Sequence, residues 1–336
     1  MATRVPFVHT TYGAYHHRER PEEDEELTHV GPGTPCGEYL RRFWHPIILS
    51  EELHDLPRRL RIMGEDLVVF RDHSGAVGLL ELHCAHRGTS LEFGLVSEKG
   101  IRCCYHGWLF DCDGTILETP GEPPDSTLKD RLCHGAYPVR EYRGLVFAYM
   151  GPPEQTPDFP LFDTFDLPGY QLAACPGYIW PCNWLQVKEN SMDPAHLAFL
   201  HTLPGSVGFT EDLAPLGVWD FMETPAGMVY IDTHRQGERV WVRVADFMLP
   251  NIHQFPPNGD PMAQRTSINR PAATRWTVPI DDTHTMQIGF NHAPERQEPR
   301  RTAGFGQDGK RPYAERQRVP GDYDAQMSIH GGVSRH

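Results

Sequence analysis

The chain has 336 residues, room for about two domains, and its 39% hydrophobic and 23% charged residues permit a packed core. Its 31 basic and 45 acidic residues leave a net charge of −14, which argues against a nucleic-acid or anionic-membrane surface. A local basic patch for docking a redox partner is still compatible with that balance.

The first thirty residues, through the acidic run Glu22–Glu26, hold no apolar segment of signal-peptide type, and no stretch reaches the roughly 20 apolar residues of a membrane span. The expectation is a soluble cytoplasmic protein. The eight Cys are unevenly spread in a chain of this size, so a disulfide framework is not expected. Nineteen His invite a search for metal sites.

Taken in order, residues 26–44 read as a short amphipathic helix with Tyr39, Leu40, Phe43 and Trp44 on its apolar side. The turn cluster Gly31-Pro32-Gly33-Thr34-Pro35 falls within it. From Leu60 the pattern changes to short strands. Leu67–Phe70 and Val77–Leu82 flank His73-Ser74-Gly75, and Trp108–Phe110 and Thr115–Leu117 flank Cys112-Asp113-Gly114, two hairpin signals. Leu145–Tyr149 closes this stretch, so residues 45–150 read as a small all-β domain. A proline-rich connector (Pro152, Pro153, Pro157, Pro160, Pro168) marks a boundary. A helical region over Trp180–His201 follows. Then Gly217–Met222, Met228–Thr233, Arg239–Phe247 and Trp276–Asn291 suggest one antiparallel sheet. Pro294–Val319 is polar and reads as loop.

Chemistry concentrates in two places. Cys84-Ala85-His86 and Cys103-Cys104-Tyr105-His106 each clip one Cys and one His into a tight loop, and Gly88 and Gly107 permit the turns. Zinc usually pairs Cys with Cys and His with His along the chain. One of each per loop suits a two-iron cluster with Cys₂ on one iron and His₂ on the other. Zinc stays as the competing ion. Trp108 and Tyr105 are candidates for tuning such a cluster. Cys104 reads as a bystander; Cys36, Cys112, Cys133, Cys175 and Cys182 have no metal-like spacing and read as buried small apolar residues.

The second place is Glu189–His201. Asn190, Asp193 and His196 share one helix face at i, i+3, i+6, and His201 follows. A slight distortion near Pro194 aims both imidazoles at one point. Two imidazoles and a carboxylate with open positions form the facial set of non-haem Fe(II) oxygen enzymes. This stretch alone fits equally well an ordinary helix with Asp193 as N-cap, Pro194 as its first residue and two surface His. Gly304–Gly309 matches a dinucleotide fingerprint by letter only, lacking a strand before it and a helix after it. Phe209 and Phe247–Ile252 are candidates for a substrate pocket and equally for core.

Cys84–Leu91 and Cys103–Trp108 resemble the two loops of Rieske non-haem iron oxygenases, and Asn190-x-x-Asp193-x-x-His196-x-x-x-x-His201 resembles their mononuclear iron motif. The resemblance runs from about Glu26 to Gln326. Val30–Pro35 and Arg311-Pro312-Tyr313 are similar to the phthalate-dioxygenase-like branch, which has only large subunits. It implies an α+β protein in three parts. An N-terminal segment, 1–44, packs on the catalytic domain; 45–150 is a Rieske [2Fe–2S] domain; 151–336 is a catalytic domain whose antiparallel sheet wraps helices. Cys84, His86, Cys103 and His106 would hold the cluster. His196, His201 and Asp322 would hold Fe(II), Asp322 lying four residues before Gln326 and Asp324 being the fallback. The family continues past the position of His336, so the packing of the last helix bears on that third ligand.

The resemblance further implies that Asp193 supports a ligand imidazole and bridges to His106 of a neighbouring subunit, in a homotrimer. Asn190 joins it as a catalytic candidate. O₂ and electrons from a separate NAD(P)H-dependent reductase, with or without a ferredoxin, would serve to hydroxylate or O-demethylate an aromatic or similar cyclic substrate. A Rieske electron carrier without oxygenase chemistry is the alternative.

Overall fold

The computed structural model describes residues 11–13, 22–202, 216–257, 270–298 and 309–329. Phe209 and Gly304–Asp308 lie outside them.

Two short helices open the described chain, α1 (Glu25–Thr28) and α2 (Pro35–Leu40). The expected single helix is broken because Gly31–Thr34 form a turn. Thr34 then caps α2 from its side chain, with Pro35 in the first turn. Trp44 belongs to a strand instead. β1 (Trp44–Leu49) is apolar and buried at every position, which suits a covered strand. Its Pro46 sits at a register shift on an edge strand, where a missing N–H is tolerated.

β2 (Arg58–Ile62), β3 (Glu65–Arg71) and β4 (Val77–Glu81) form an antiparallel meander. β5 (Leu95–Val96), β6 (Ile101–Arg102), β7 (Leu109–Phe110) and β8 (Ile116–Glu118) form a small four-stranded sheet. β9 (Val139–Tyr142) and β10 (Leu145–Tyr149) complete a third sheet with β1, in the order β1-β10-β9. A core of Phe70, Leu80, Leu82, Ile101, Trp108, Phe110 and Ile116 includes the side chains of Cys84 and Cys103.

After the proline-rich connector comes β11 (Tyr170–Trp180), a strand that no expected element covered, apart from Trp180 at the start of the expected helical region. Helix α3 (Trp184–Ser191) starts only where Asn183 accepts the Leu185 amide at 3.0 Å. α4 (Ala195–Leu200) follows after a complete break at Met192–Pro194, not the slight distortion expected. β12 (Val218–Thr224), β13 (Gly227–Gln236), β14 (Arg239–Met248), β15 (Ile252–Phe255), β16 (Ala273–Asp281) and β17 (His284–Pro294) build the large sheet. Trp276–Asn291 is thus two strands, turning at Asp282-Thr283. The seven strands run antiparallel in the order β11-β17-β16-β15-β14-β13-β12. Finally, α5 (Tyr313–Arg318), within the stretch expected as loop, and α6 (Asp322–Met327) close the described chain.

Alternation along the large sheet gives it two different faces. One carries Ile252, Trp276, Val278, Ile288 and Phe290, which join Phe147, Tyr149, Leu40 and Ile47 in a shared core. Ile252 is therefore core, not pocket. The other face is polar and looks toward the helices. The N-terminal segment is fastened to the sheet-and-helix unit. The Val30 amide donates to Asp282 at 2.8 Å, Asn183 donates to the Thr28 carbonyl at 2.8 Å, and the Trp184 indole donates to the Leu27 carbonyl at 3.0 Å. Among the described residues, no helix is long and apolar enough to cross a membrane.

Candidate metal centres

The two Cys/His loops are built alike. In each, the amide four residues after the Cys donates back to the Cys carbonyl: Gly88 to Cys84 at 2.8 Å, Gly107 to Cys103 at 3.1 Å. Each Cys amide then donates across the loop, Cys84 to Thr89 at 2.9 Å and Cys103 to Trp108 at 2.8 Å. Gly88 and Gly107 have φ of 71° and 72°, the left-handed region that a Cβ disfavours.

This architecture sorts the donors by type. The Cys84 thiol is pushed up to about 11, first by burial and then by the neighbouring Cys103 thiol, while the amides of His86 and Arg87 pull it the other way. The imidazoles of His86 and His106 stand with ring centres 4.7 Å apart. Burial, then the nearby His86 and Arg87, lowers the His106 pKa. Trp108 stacks on His86 at 4.8 Å with planes 2° apart, and Tyr105 lies 3.8 Å from His106. No three of the four donors gather within 4.8 Å of one another. One tetrahedral zinc with bonds of about 2.0–2.3 Å would draw all four to within about 4 Å. Paired sulfurs set apart from paired nitrogens fit two irons instead. Of the other cysteines, Cys36, Cys175 and Cys182 are buried as expected, Cys112 is half-buried, and Cys104 and Cys133 are exposed. Cys133 thus departs from the buried apolar role expected of it, lying in the loop that leads to β9.

His196, His201 and Asp322 do gather within 4.8 Å. His196 Nε2 is 3.5 Å from Asp322 Oδ1, and His201 Nε2 is 3.3 Å from Asp322 Oδ2. Three donors on one face of a single ion, at bonds of about 2.0–2.2 Å, stand about 3–3.5 Å apart. The set therefore fits one metal ion. The α3–α4 break achieves this by turning α4 so that both rings face α6. Burial alone would raise the Asp322 carboxyl, but the His201 hydrogen bond, the His201 and His196 rings and the Asn190 amide hold it below its usual value. Asn190 Nδ2 donates to Asp322 Oδ1 at 3.2 Å.

Asp193 lies on the far side of His196, its Oδ2 3.6 Å from Nδ1. That gap is too long for a hydrogen bond, and His196 Nδ1 is a buried nitrogen with no partner. Oδ1 of Asp193 accepts the Ala195 amide at 2.7 Å, so Asp193 also caps the start of α4. The neighbouring His196 ring, foremost, holds the Asp193 carboxyl low against the effect of burial. Asp324, the fallback ligand, is engaged elsewhere: it meets Arg316 at 2.5 Å and Arg311 at 3.6 Å, and accepts the Gly321 amide at 3.1 Å.

A cleft beside α4 is lined by Leu197, Ala198, Trp219, Asp232, His234 and Trp241. His234 Nε2 and Asp232 Oδ2 meet at 2.9 Å. Sequence reasoning missed this pair, because two polar residues two apart in a strand look like an exposed face until the helices cover it.

A domain of paired thiols and paired imidazoles, joined to a sheet that cups a His-His-Asp set, defines an iron–sulfur protein with a non-haem metal site of oxygen-using type. Residues 43–143 match the Rieske [2Fe-2S] domain. The chain is similar to the tert-butanol monooxygenase / tert-amyl alcohol desaturase oxygenase subunit of Aquincola tertiaricarbonis, 43% identical over 97% of this chain and 75% of that protein. It is also similar to the phenoxybenzoate dioxygenase alpha subunit of Ectopseudomonas oleovorans, 38% identical over 100% of this chain and 85% of that protein. The chain belongs to the Rieske non-haem iron oxygenases. Its fold resembles that of dicamba monooxygenase bound to 3,6-dichlorosalicylic acid, with a TM-score of 0.62 and 18% identity over 76% of this chain and 79% of that one. It is thus an oxygenase component, not a bare electron carrier, and its cofactors are a Rieske [2Fe–2S] cluster and a mononuclear iron. Both relatives are named as subunits of an oxygen-using enzyme.

Proposed function

We propose that Cys84 and Cys103 hold one iron of the cluster and His86 and His106 the other, while His196, His201 and Asp322 hold the mononuclear iron. The convergence of those last three donors carries the reading. In this reading 45–150 is the Rieske domain, 151–336 the catalytic domain, and 1–44 a segment packed on the latter. When both groups are bound, they supply the electrons and the O₂ activation that an oxygenase needs.

The chain's own residues do the positioning. Asn190 fixes the Asp322 carboxylate, so that its two oxygens face the two ring nitrogens. Asp193 faces the remote nitrogen of His196, where a carboxylate orients the ring and strengthens it as a ligand. Half of the Asp193 side chain is exposed, 47%, so it is also reachable from outside the subunit. Together with the half-exposed His106, this supports a contact between Asp193 of one subunit and His106 of the next, in a homotrimer fed by an NAD(P)H-dependent reductase. The substrate is aromatic or similarly cyclic, and the reaction is hydroxylation or oxidative O-demethylation; relatives named phenoxybenzoate dioxygenase and 5,5'-dehydrodivanillate O-demethylase support this.

Asp193→Ala tests the reading most directly. Both metals should remain, the cluster should keep its Rieske-type paramagnetic signal, and substrate-dependent O₂ uptake should stop. Normal turnover would remove the role given to Asp193.

A further inference from the structure

The two Cys/His loops share a second feature. The residue just before each Cys pairs in antiparallel register with the residue just past the loop, His83 with Ser90 and Arg102 with Leu109. From that position each sends its side chain back to the carbonyl of the loop's glycine. His83 Nδ1 meets the Gly88 oxygen at 3.0 Å, and Arg102 Nη1 donates to the Gly107 oxygen at 2.7 Å. These are the two glycines whose positive φ turns the loops. Each loop is therefore closed twice, once by its backbone and once by the side chain at its base.

The two clamps differ in charge and in support. In the first loop the clamp is an exposed imidazole. In the second it is a guanidinium, a permanent cation whose rigid fork can grip two acceptors at once. Arg102 does so: its Nη2 meets Glu118 Oε2 of β8 at 2.7 Å, with 30% of the Arg102 and 53% of the Glu118 side chain exposed. The sheet sets this pair side by side, because Leu109 pairs with Arg102 on one side and with Glu118 on the other. The gripped residue, Gly107, lies between His106 and Trp108, and Trp108 stacks on His86. One fixed cation thus holds the loop that carries both the second imidazole and the ring packed on the first.

We propose that Arg102 is a positioning residue for the cluster. Through the Gly107 carbonyl it fixes the loop that presents His106, and its charge eases reduction of the group held there. The inference rests on the assignment of Cys84, His86, Cys103 and His106 as cluster ligands. Reduction brings in one electron from an external donor and makes the site one unit more negative. A nearby cation favours that state and a nearby anion opposes it. Arg102 and Glu118 therefore cooperate in holding the loop but act oppositely on its redox balance. One unit charge about 10 Å away changes such an equilibrium about twofold in water and more than about tenfold at a protein-like dielectric.

The experiment uses the full chain with its cluster, titrated with dithionite and redox mediators at low salt. The reduced fraction is read from the paramagnetic signal at fixed applied potentials. Arg102→Gln should lower the ratio of reduced to oxidised cluster at least about threefold, and added salt should shrink the difference. Arg102→Lys, which keeps the charge and loses the fork, should recover most of that loss. Glu118→Gln should move the ratio upward. A purely structural clamp would send Arg102→Gln and Glu118→Gln in the same direction, since either change loosens the loop. That result, a parent-like titration of Arg102→Gln, or a lysine variant no better than the glutamine one would overturn the inference. Should Arg102→Gln fail to assemble the cluster, Glu118→Gln decides: an upward shift supports the inference, and an unchanged or downward one overturns it. A parent protein without a Rieske-type signal would instead sink the ligand assignment. A parent with that signal, and variants that titrate like it, would sink this inference alone.

Discussion

The two proposed metal centres are assembled in opposite ways. The cluster loops draw all four donors from residues 84–106, and each loop is closed by its own backbone bonds. The iron set joins α3 and α4 to α6, and its supporting bond from Asn190 to Asp322 spans 132 residues. Local loops need little loop-closure entropy to form, whereas a set spread this widely exists only while the whole domain is docked. Gln186, which donates to the Gln326 carbonyl, and the Arg311–Asp324–Arg316 cluster hold α6 in place from outside the set. The difference teaches that the cluster should withstand damage at the iron site, while the iron site depends on remote packing.

Removing a donor from each side makes the largest break in this comparison. His196→Ala should abolish mononuclear iron binding and leave the Rieske signal intact. Cys84→Ala should abolish the Rieske signal and leave iron bound to the His-His-Asp set. Metal analysis and paramagnetic resonance on both variants check this. Loss of both groups from either one would contradict two independent centres.

A smaller effect comes from the support. Asn190→Ala leaves the ligands in place but frees the Asp322 carboxylate. Iron affinity should fall about 10- to 100-fold, with the cluster unchanged. Iron retained after dialysis against a graded chelator measures it, and parent-like retention would show that the Asn190 bond does not matter.

The smallest effect lies where the two regions meet. His45 on β1 donates from Nε2 to the Leu40 carbonyl at 2.7 Å, and its other ring nitrogen faces the Asn251 amide of the large-sheet region at 3.3 Å. Burial pushes its pKa down to about 4. Below its ordinary value of about 6.5, the unfolded His45 takes a proton that the folded one refuses. Stability therefore falls as pH drops from about 6.5 to 4, by up to about 3 kcal/mol from this residue. His292, also pushed down to about 4 by burial, adds to the same slope. His45→Gln should flatten part of the acid-side loss of melting temperature. An unchanged slope would place the sensitivity elsewhere.

Much of the cluster was legible because its information is local. Cys-x-His and Cys-x-x-His followed by Gly88 and Gly107 specify two tight loops, and both glycines adopt the backbone those loops need. The His pair is local too, but its stretch alone fits an ordinary helix equally well, and the family resemblance tipped the reading. Asp322 was named only with help from a family resemblance, since nothing local distinguishes it from Asp324. The structure separates the two: one faces the imidazoles and the other faces two arginines. β11 was missed because Tyr170–Trp180 does not alternate cleanly. Its pairing with β17 shifts register between Cys175 and Tyr178, and long-range pairing supplies what local pattern lacks.

The sequence by itself marked two groups of candidate metal donors, because donors a few residues apart constrain each other through short stretches of backbone. Only the tertiary structure brought Asp322 up to the two imidazoles and turned Asp324 toward two arginines. Those depend on residues far apart in the chain meeting across a packed interior, where burial sets both their cost and their use.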